Sequence, residues 1–241
     1  MAETLFTATI QRPSWHKKYA SRVLSGLGFM VLWVGLLFGF AGTMDWTRGW
    51  ICAGSYLFSM LTLGMVVSRL NPELISARAN WRHGDTKQFD KIILPIYLLL
   101  TIVQPAIGGL DAVRFRWSSM PFWTLYLGLA LFAVAIFFLT WVMAVNPWAE
   151  STVRIQTDRG HQVLRTGPYR IVRHPMYVGM SLMYPSAALM LGSWWALAVS
   201  GLMGMLLVVR TGLEDRALRR ELPGYEEFTR VTRWRLAPGI W

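Results

Sequence analysis

Apolar runs of membrane-spanning length constrain this chain more than any other feature. Residues 23–44, 50–67, 92–110 and 122–145 are almost wholly apolar, and about 20 such residues are what an α-helix needs to cross a ~30 Å hydrocarbon core at about 1.5 Å per residue. A fifth apolar region, 176–209, is interrupted by Gly192 and Ser193 and reads as two helices joined by a tight turn. Each arm is roughly 25 Å long, slightly short of the core. The pair is therefore either a hairpin that does not fully cross or two short tilted spans, and Pro185 predicts a kink in its first arm. The expected fold is all-α: a multi-pass transmembrane helical bundle of four spans plus a C-terminal hairpin, giving five to six membrane helices. It divides into an N-terminal membrane bundle, 1–145, and a C-terminal core, 146–241.

Composition agrees with lipid as the solvent, with 54% hydrophobic and 15% charged residues. A net charge of +11 raises nucleic acid as a partner, but the basic residues follow the topology instead. The connections 1–22, 68–91, 146–175 and 210–241 hold 21 of the 24 Lys and Arg, and the alternate connections hold only Arg48, Arg114 and Arg116. The positive-inside rule then places both termini and the two long loops in the cytoplasm, and anionic headgroups account for the charge without nucleic acid. An Arg-rich, Lys-poor composition points to a bacterial inner membrane. Residues 1–22, with His16, Lys17, Lys18 and Arg22, are too long and polar for the start of a signal peptide, so the first span is expected to stay uncleaved. Cys52 stands alone, and no Cys/His spacing suits a metal, so neither a disulfide nor a metal site is expected. Trp46, Trp50, Trp117, Trp123 and Trp148 fall at span ends, where indole anchors a helix at the interface.

Two segments gather chemistry where the chain meets the last apolar region. The first brings Gln156, His161, Tyr169, Arg173, His174 and Tyr177 together, with a turn at Gly167-Pro168 and Pro175 suited to a first helical turn. The second begins with Arg210 and continues to Glu214 and Asp215. Arg210 and Glu214 lie one turn apart on one helix face, able to pair or to line a pocket together. Blander readings exist for each: Arg210 as a snorkelling end-of-helix arginine, Glu214 and Asp215 as a solvated stretch, His174 as structural. If the hairpin closes, the two segments meet at one end of the bundle. The chain has no phosphate-binding Gly loop, no G-x-S-x-G elbow and no H-E-x-x-H helix, which excludes the usual machinery of phosphoryl transfer and triad hydrolysis. Charged groups with stacking aromatics at a membrane surface suit a zwitterionic, adenine-bearing cofactor and a lipid that enters sideways.

The string Gly167-Pro-Tyr-x-x-x-Arg173-His174-Pro175-x-Tyr177-x-Gly179, followed by Arg210-x-x-x-Glu214-Asp215-x-x-Leu218 and Pro223-Gly-Tyr225, resembles the isoprenylcysteine carboxyl methyltransferase family and the related phospholipid N-methyltransferases. The resemblance covers the C-terminal part of the chain and implies an S-adenosylmethionine site, with S-adenosylhomocysteine as product. Gln156, His161, Gly167, Tyr169, Arg173, His174, Pro175, Tyr177 and Glu214 would bind the cofactor. Arg210 would position an anionic head, and Glu214 would accept a proton from an amine substrate. Asp215 stands where the family has a second Glu, one methylene longer. The acceptor implied is a lipophilic, isoprenoid- or phospholipid-like carboxylate, amine or thiol drawn from the bilayer; bacteria generally lack prenylated CaaX proteins, so that reaction is not expected. Two rivals remain. NADPH-dependent sterol-type reductases carry a similar Arg-His-Pro element, but usually continue with Asn-Tyr and a downstream Gly-Glu where this chain has Met176-Tyr177 and Gly179-Met180. A non-catalytic scaffold or transporter would explain the spans alone, although a transporter should show polar or broken helices at mid-membrane. Residues 71–81 read as an amphipathic surface helix, either a brace or a lid. Residues 213–230 read as a helix broken at Pro223-Gly224 that caps the pocket.

Overall fold

A computed structural model describes residues 15–79 and 83–241, with side chains from Leu24 to Arg78 and from His83 onward. The described residues form eight α-helices, with short 3₁₀ and π turns and no strands. They are α1 (Trp15–Ala41), α2 (Thr47–Leu70), α3 (Pro72–Ala79), α4 (Gln88–Gly109), α5 (Trp123–Val145), α6 (Pro175–Leu191), α7 (Trp194–Glu221) and α8 (Tyr225–Val231). Five of them, α1, α2, α4, α5 and α7, are long and apolar enough to cross a membrane. Phe58, Leu99, Phe137 and Met205 are among the large apolar side chains left exposed around the bundle, a surface that lipid satisfies and water does not. The protein is an integral, multi-pass membrane protein.

The 17-residue α6 sits at the centre, with Ala187, Ala188, Met190 and Leu191 stripped of exposed surface. Glycines bring its neighbour close: a Cβ on Gly128 of α5 would lie 2.7 Å from the Ser186 carbonyl, and one on Gly179 of α6 would lie 2.8 Å from Leu139. The α6–α7 turn shows how far the hairpin reaches within the bundle. Gly192 takes the left-handed conformation, φ +79°, and Ser193 caps α7 by accepting from Ala196 N at 2.9 Å. Ser193 Oγ also donates to Asp111, 2.5 Å, which accepts from Ser118 Oγ, 2.5 Å, and from Trp195 N, 3.2 Å. Asp111 belongs to a π turn, Leu110–Arg114, that continues α4. Arg48, at the start of α2, lies against Gly192 and donates to the Pro121 carbonyl at 2.8 Å. The tip thus meets both connections at the far end of the bundle, and the hairpin traverses its whole depth.

α7 corrects one expectation. No separate helix starts near residue 213; α7 runs unbroken for 28 residues to Glu221, because nothing between Val209 and Glu221 interrupts a helix and Arg210 finds a partner inside the protein. The break at Pro223-Gly224 stands where expected, and α8 follows it. α3 is packed down: Leu74 is fully buried against Val67 and Ala149, and the Asn71 amide donates to the Met143 and Asn146 carbonyls at 3.0 and 2.9 Å. That is the arrangement of a brace; Trp81 lies outside the described residues. Trp50, Trp117 and Trp123 stand exposed at helix ends, as anchors should. Trp46 does not: it is buried edge-on against Phe38. Trp148 belongs to the site described next. A lipid anchor needs its indole facing outward, and both of these rings are turned into protein.

Candidate functional site

A cleft of about 840 Å³, mouth included, opens at the end of the bundle that carries the long loops. Its walls are the 146–174 loop, the first turn of α6, the far end of α7, and α8. The loop is shaped by two left-handed glycines, Gly160 (φ +60°) closing a 3₁₀ turn and Gly167 (φ +59°) opening another. Pro175 then starts α6 at a position where a missing N–H costs nothing.

Glu214 of α7 faces this cleft and accepts a short hydrogen bond from the Tyr177 hydroxyl of α6. Arg210, one turn earlier, does not pair with Glu214. Its guanidinium is buried and donates to both Asp90 oxygens, at 2.7 and 3.0 Å, and to the Ser151 carbonyl at 2.9 Å, while lying 5.3 Å from the centre of the Tyr177 ring. Asp90, at the start of α4, has no exposed surface and also accepts from Val153 N at 2.7 Å. One carboxylate thus joins α4, α7 and the loop. An ion pair buried this deeply adds little net stability over an apolar equivalent, but losing one partner strands the other charge.

Asp215 has a definite place. It takes Arg173 in a two-point bond (2.7 and 3.1 Å), with Tyr225 OH at 3.1 Å, Arg235 at 3.0 Å and Arg219 at 3.3 Å. Arg173 directs its other donors to the carbonyls of Thr232, 2.9 Å, and Arg233, 2.6 Å. Both residues therefore build the wall that holds the C-terminal segment. His174 lies within 3.4 Å of Asp215 and of Tyr225 OH, its ring parallel to that of Tyr177.

Across the cleft, Gln156 is buried; it donates to the Trp148 carbonyl at 2.8 Å and accepts from Arg159 at 2.7 Å. His161 stacks on Trp148 with ring centres 5.4 Å apart. Burial first, and the nearby Arg154 charge second, lower its pKa to about 4, so the ring is neutral at neutral pH. Arg154 binds Glu150 at 2.9 Å and Asp158 at 2.7 Å; hydrogen bonding to Glu150 holds its pKa above the ordinary arginine value. The Tyr169 hydroxyl accepts from the Asn146 amide, and burial raises its pKa.

The structure thus brings Gln156, His161, Tyr169, Arg173, His174, Pro175, Tyr177, Arg210 and Glu214 to one cleft. Gly167 stays outside its lining: it packs on Trp141 and serves the turn. Sequence reasoning missed Asp90, Asn146, Glu150 and Trp148, and gave Tyr225 no role. One signal was available for Asp90. It is an acid just before one apolar run, as Arg210 is a base just after another, so both sit at one depth in an antiparallel bundle. Among the described residues, the cleft arginines 154, 173 and 210 are each matched by carboxylates. Glu214, half-buried, has only a hydroxyl. Of the described carboxylates lining the cleft, Glu150 is paired with Arg154 and Arg159, and Glu214 with no cation.

Residues 123–222 match the family model described as phospholipid methyltransferase, a stretch running from the start of α5 to just past α7 and supplying most of the cleft. No curated protein matches the chain. The matched segment, 100 of the chain's 241 residues, supports a membrane methyltransferase of the lipid-related type.

Proposed function

We propose that the cleft binds S-adenosylmethionine and that the protein transfers its methyl group to a lipophilic, isoprenoid- or phospholipid-like acceptor from the bilayer. The observation that carries this reading is the carboxylate of Glu214, without a cationic partner among the described residues, lining one cleft with a neutral stacked Trp148–His161 pair. A cofactor with a cationic amino acid end and an aromatic base matches both features. Glu214 and Tyr177 would hold the positive end, and Trp148 and His161 the base. When bound, the cofactor supplies an electrophilic methyl carbon; the acceptor heteroatom gains it and S-adenosylhomocysteine remains. The protein's own contribution is to align and desolvate the reactants.

We assign Arg210 a supporting part in place of holding an anionic head. Held by Asp90, it acts as a positioning residue, supporting the Tyr177 ring whose hydroxyl sets Glu214. Among the described residues, each arginine lining the cleft is already bound to a carboxylate, which favours an amine or thiol acceptor over a carboxylate; for an amine, Glu214 is the available proton acceptor. We place the loop-rich end in the cytoplasm by its arginines, in the inner membrane of a bacterium. Calorimetric titration of the purified protein with S-adenosylhomocysteine tests the reading. Saturable binding that Glu214→Ala weakens at least about tenfold, roughly 1.4 kcal/mol, is expected. Absence of binding by the folded wild-type protein, or binding of NADPH in its place, would overturn it.

A further inference from the structure

The C-terminal segment, 232–241, wraps against the site from outside. Trp234 and Arg235 carbonyls accept from the backbone N–H groups of Arg173 and His174, at 2.9 and 3.0 Å. Leu236 packs on the cluster of Tyr97, Tyr177, Val199, Met203 and Leu207. The chain then turns at Pro238-Gly239, φ +81° at the glycine, with Ile240 N and Trp241 N both donating to the Ala237 carbonyl. Arg235 lies over the Trp241 ring at 4.8 Å while bonding Asp215. Against this tethered interior, the outer edge is apolar: Ile240 is 83% exposed and Trp234 37%.

The depth of this edge is fixed by α7. Leu202, Met205 and Val209 are exposed at helical spacing and form its lipid-facing stripe. Gly212 continues that stripe, and the Trp241 ring lies against it, 3.9 Å from where a Cβ would stand. The next residue on the stripe, Arg216, is exposed and charged. About 10 Å of helix separates Val209 from Arg216, enough to contain one leaflet's headgroup layer of about 5–8 Å. The segment is therefore continuous with the lipid-facing surface and stands at headgroup depth, where indole is favoured.

We infer that residues 234–241 insert into the membrane interface, with Ile240 and Trp234 among the upper acyl chains and headgroups, so that the bilayer itself backs the wall that holds Arg173 and His174. The chemistry recognised is a lipid surface, and Arg230 and Arg233, both exposed, suit anionic headgroups.

The test uses the full-length protein in nanodiscs of phosphatidylcholine and phosphatidylglycerol. Ile240→Cys and, separately, Trp234→Cys are labelled with an environment-sensitive fluorophore; Cys52 is fully buried, so the unsubstituted protein serves as the labelling blank. Val209→Cys marks lipid and Arg220→Cys marks water. Quenching of both test positions by lipids with a nitroxide near the headgroup, approaching that at 209, with shielding from iodide, is the expected result. Iodide quenching equal to that at 220, with no effect of the nitroxide lipids, overturns the inference.

Discussion

Asp90 carries more of the site than its position suggests. Replacing it with Asn leaves the Arg210 charge buried without a counter-ion, and the expected cost is about 3–5 kcal/mol, read as a lowered midpoint of thermal unfolding in detergent. The double replacement Asp90→Leu with Arg210→Met removes both charges and should recover most of that stability. S-adenosylhomocysteine affinity should nevertheless stay reduced, because the support beneath Tyr177 is gone; wild-type affinity in the double variant would reduce the pair to a structural role. His161 gives a pH signature. Its folded pKa of about 4 lies below the unfolded value of about 6.5, so the unfolded chain binds more protons between those values. Its contribution to stability is therefore complete above about pH 6.5 and is lost as pH falls toward 4. Unfolding measured across that range should show this dependence, and His161→Phe should remove it. The candidate residues were largely legible in the sequence because most sit in two short strings beside helix ends. Asp90 and Trp148 were harder to read, since their partners lie 120 and 13 residues away; no local spacing announces such pairs, and only the matching depth of Asp90 and Arg210 points to the first.

At the scale of elements, close approach of α5 and α6 depends on missing side chains. Gly128→Val would press a branched side chain onto the Ser186 carbonyl and Met190, with an expected loss of about 1–3 kcal/mol. Gly192→Ala should also destabilise, by about 1–2 kcal/mol from its left-handed backbone alone, with Arg48 forced aside. Gly28→Ala, inside α1, meets nothing within 4 Å; gaining helix propensity, it should not destabilise and serves as the control in the same unfolding assay. The spans themselves could be read from hydropathy, because each must satisfy its backbone in lipid by being helical. What hydropathy did not give was the depth reached by the hairpin. That depends on Asp111, a carboxylate lying just beyond an apolar run, which meets the tip through Ser193. Nor did hydropathy mark where α7 ends, because Arg210, which looks like a boundary in sequence, is paired inside the protein.

For the whole molecule, the C-terminal segment is a working wall of the site. Truncation after Val231 removes the carbonyls of Thr232, Arg233, Trp234 and Arg235 that receive Arg173 and His174. The spans should still insert, while S-adenosylhomocysteine binding should be lost; retained binding in calorimetry would show that the segment is dispensable.

The bond between Asp90 and Arg210 also bears on how such a protein can be altered. The matched family segment begins at residue 123, yet its arginine at 210 is neutralised from α4. A chimera that grafts residues 123–241 onto the membrane helices of another protein inherits an orphaned cation unless the graft also brings an acid at the corresponding depth. The helices before residue 123 and the matched segment are then not independently exchangeable parts: any recombination that respects only the helix boundaries separates a lock from its key.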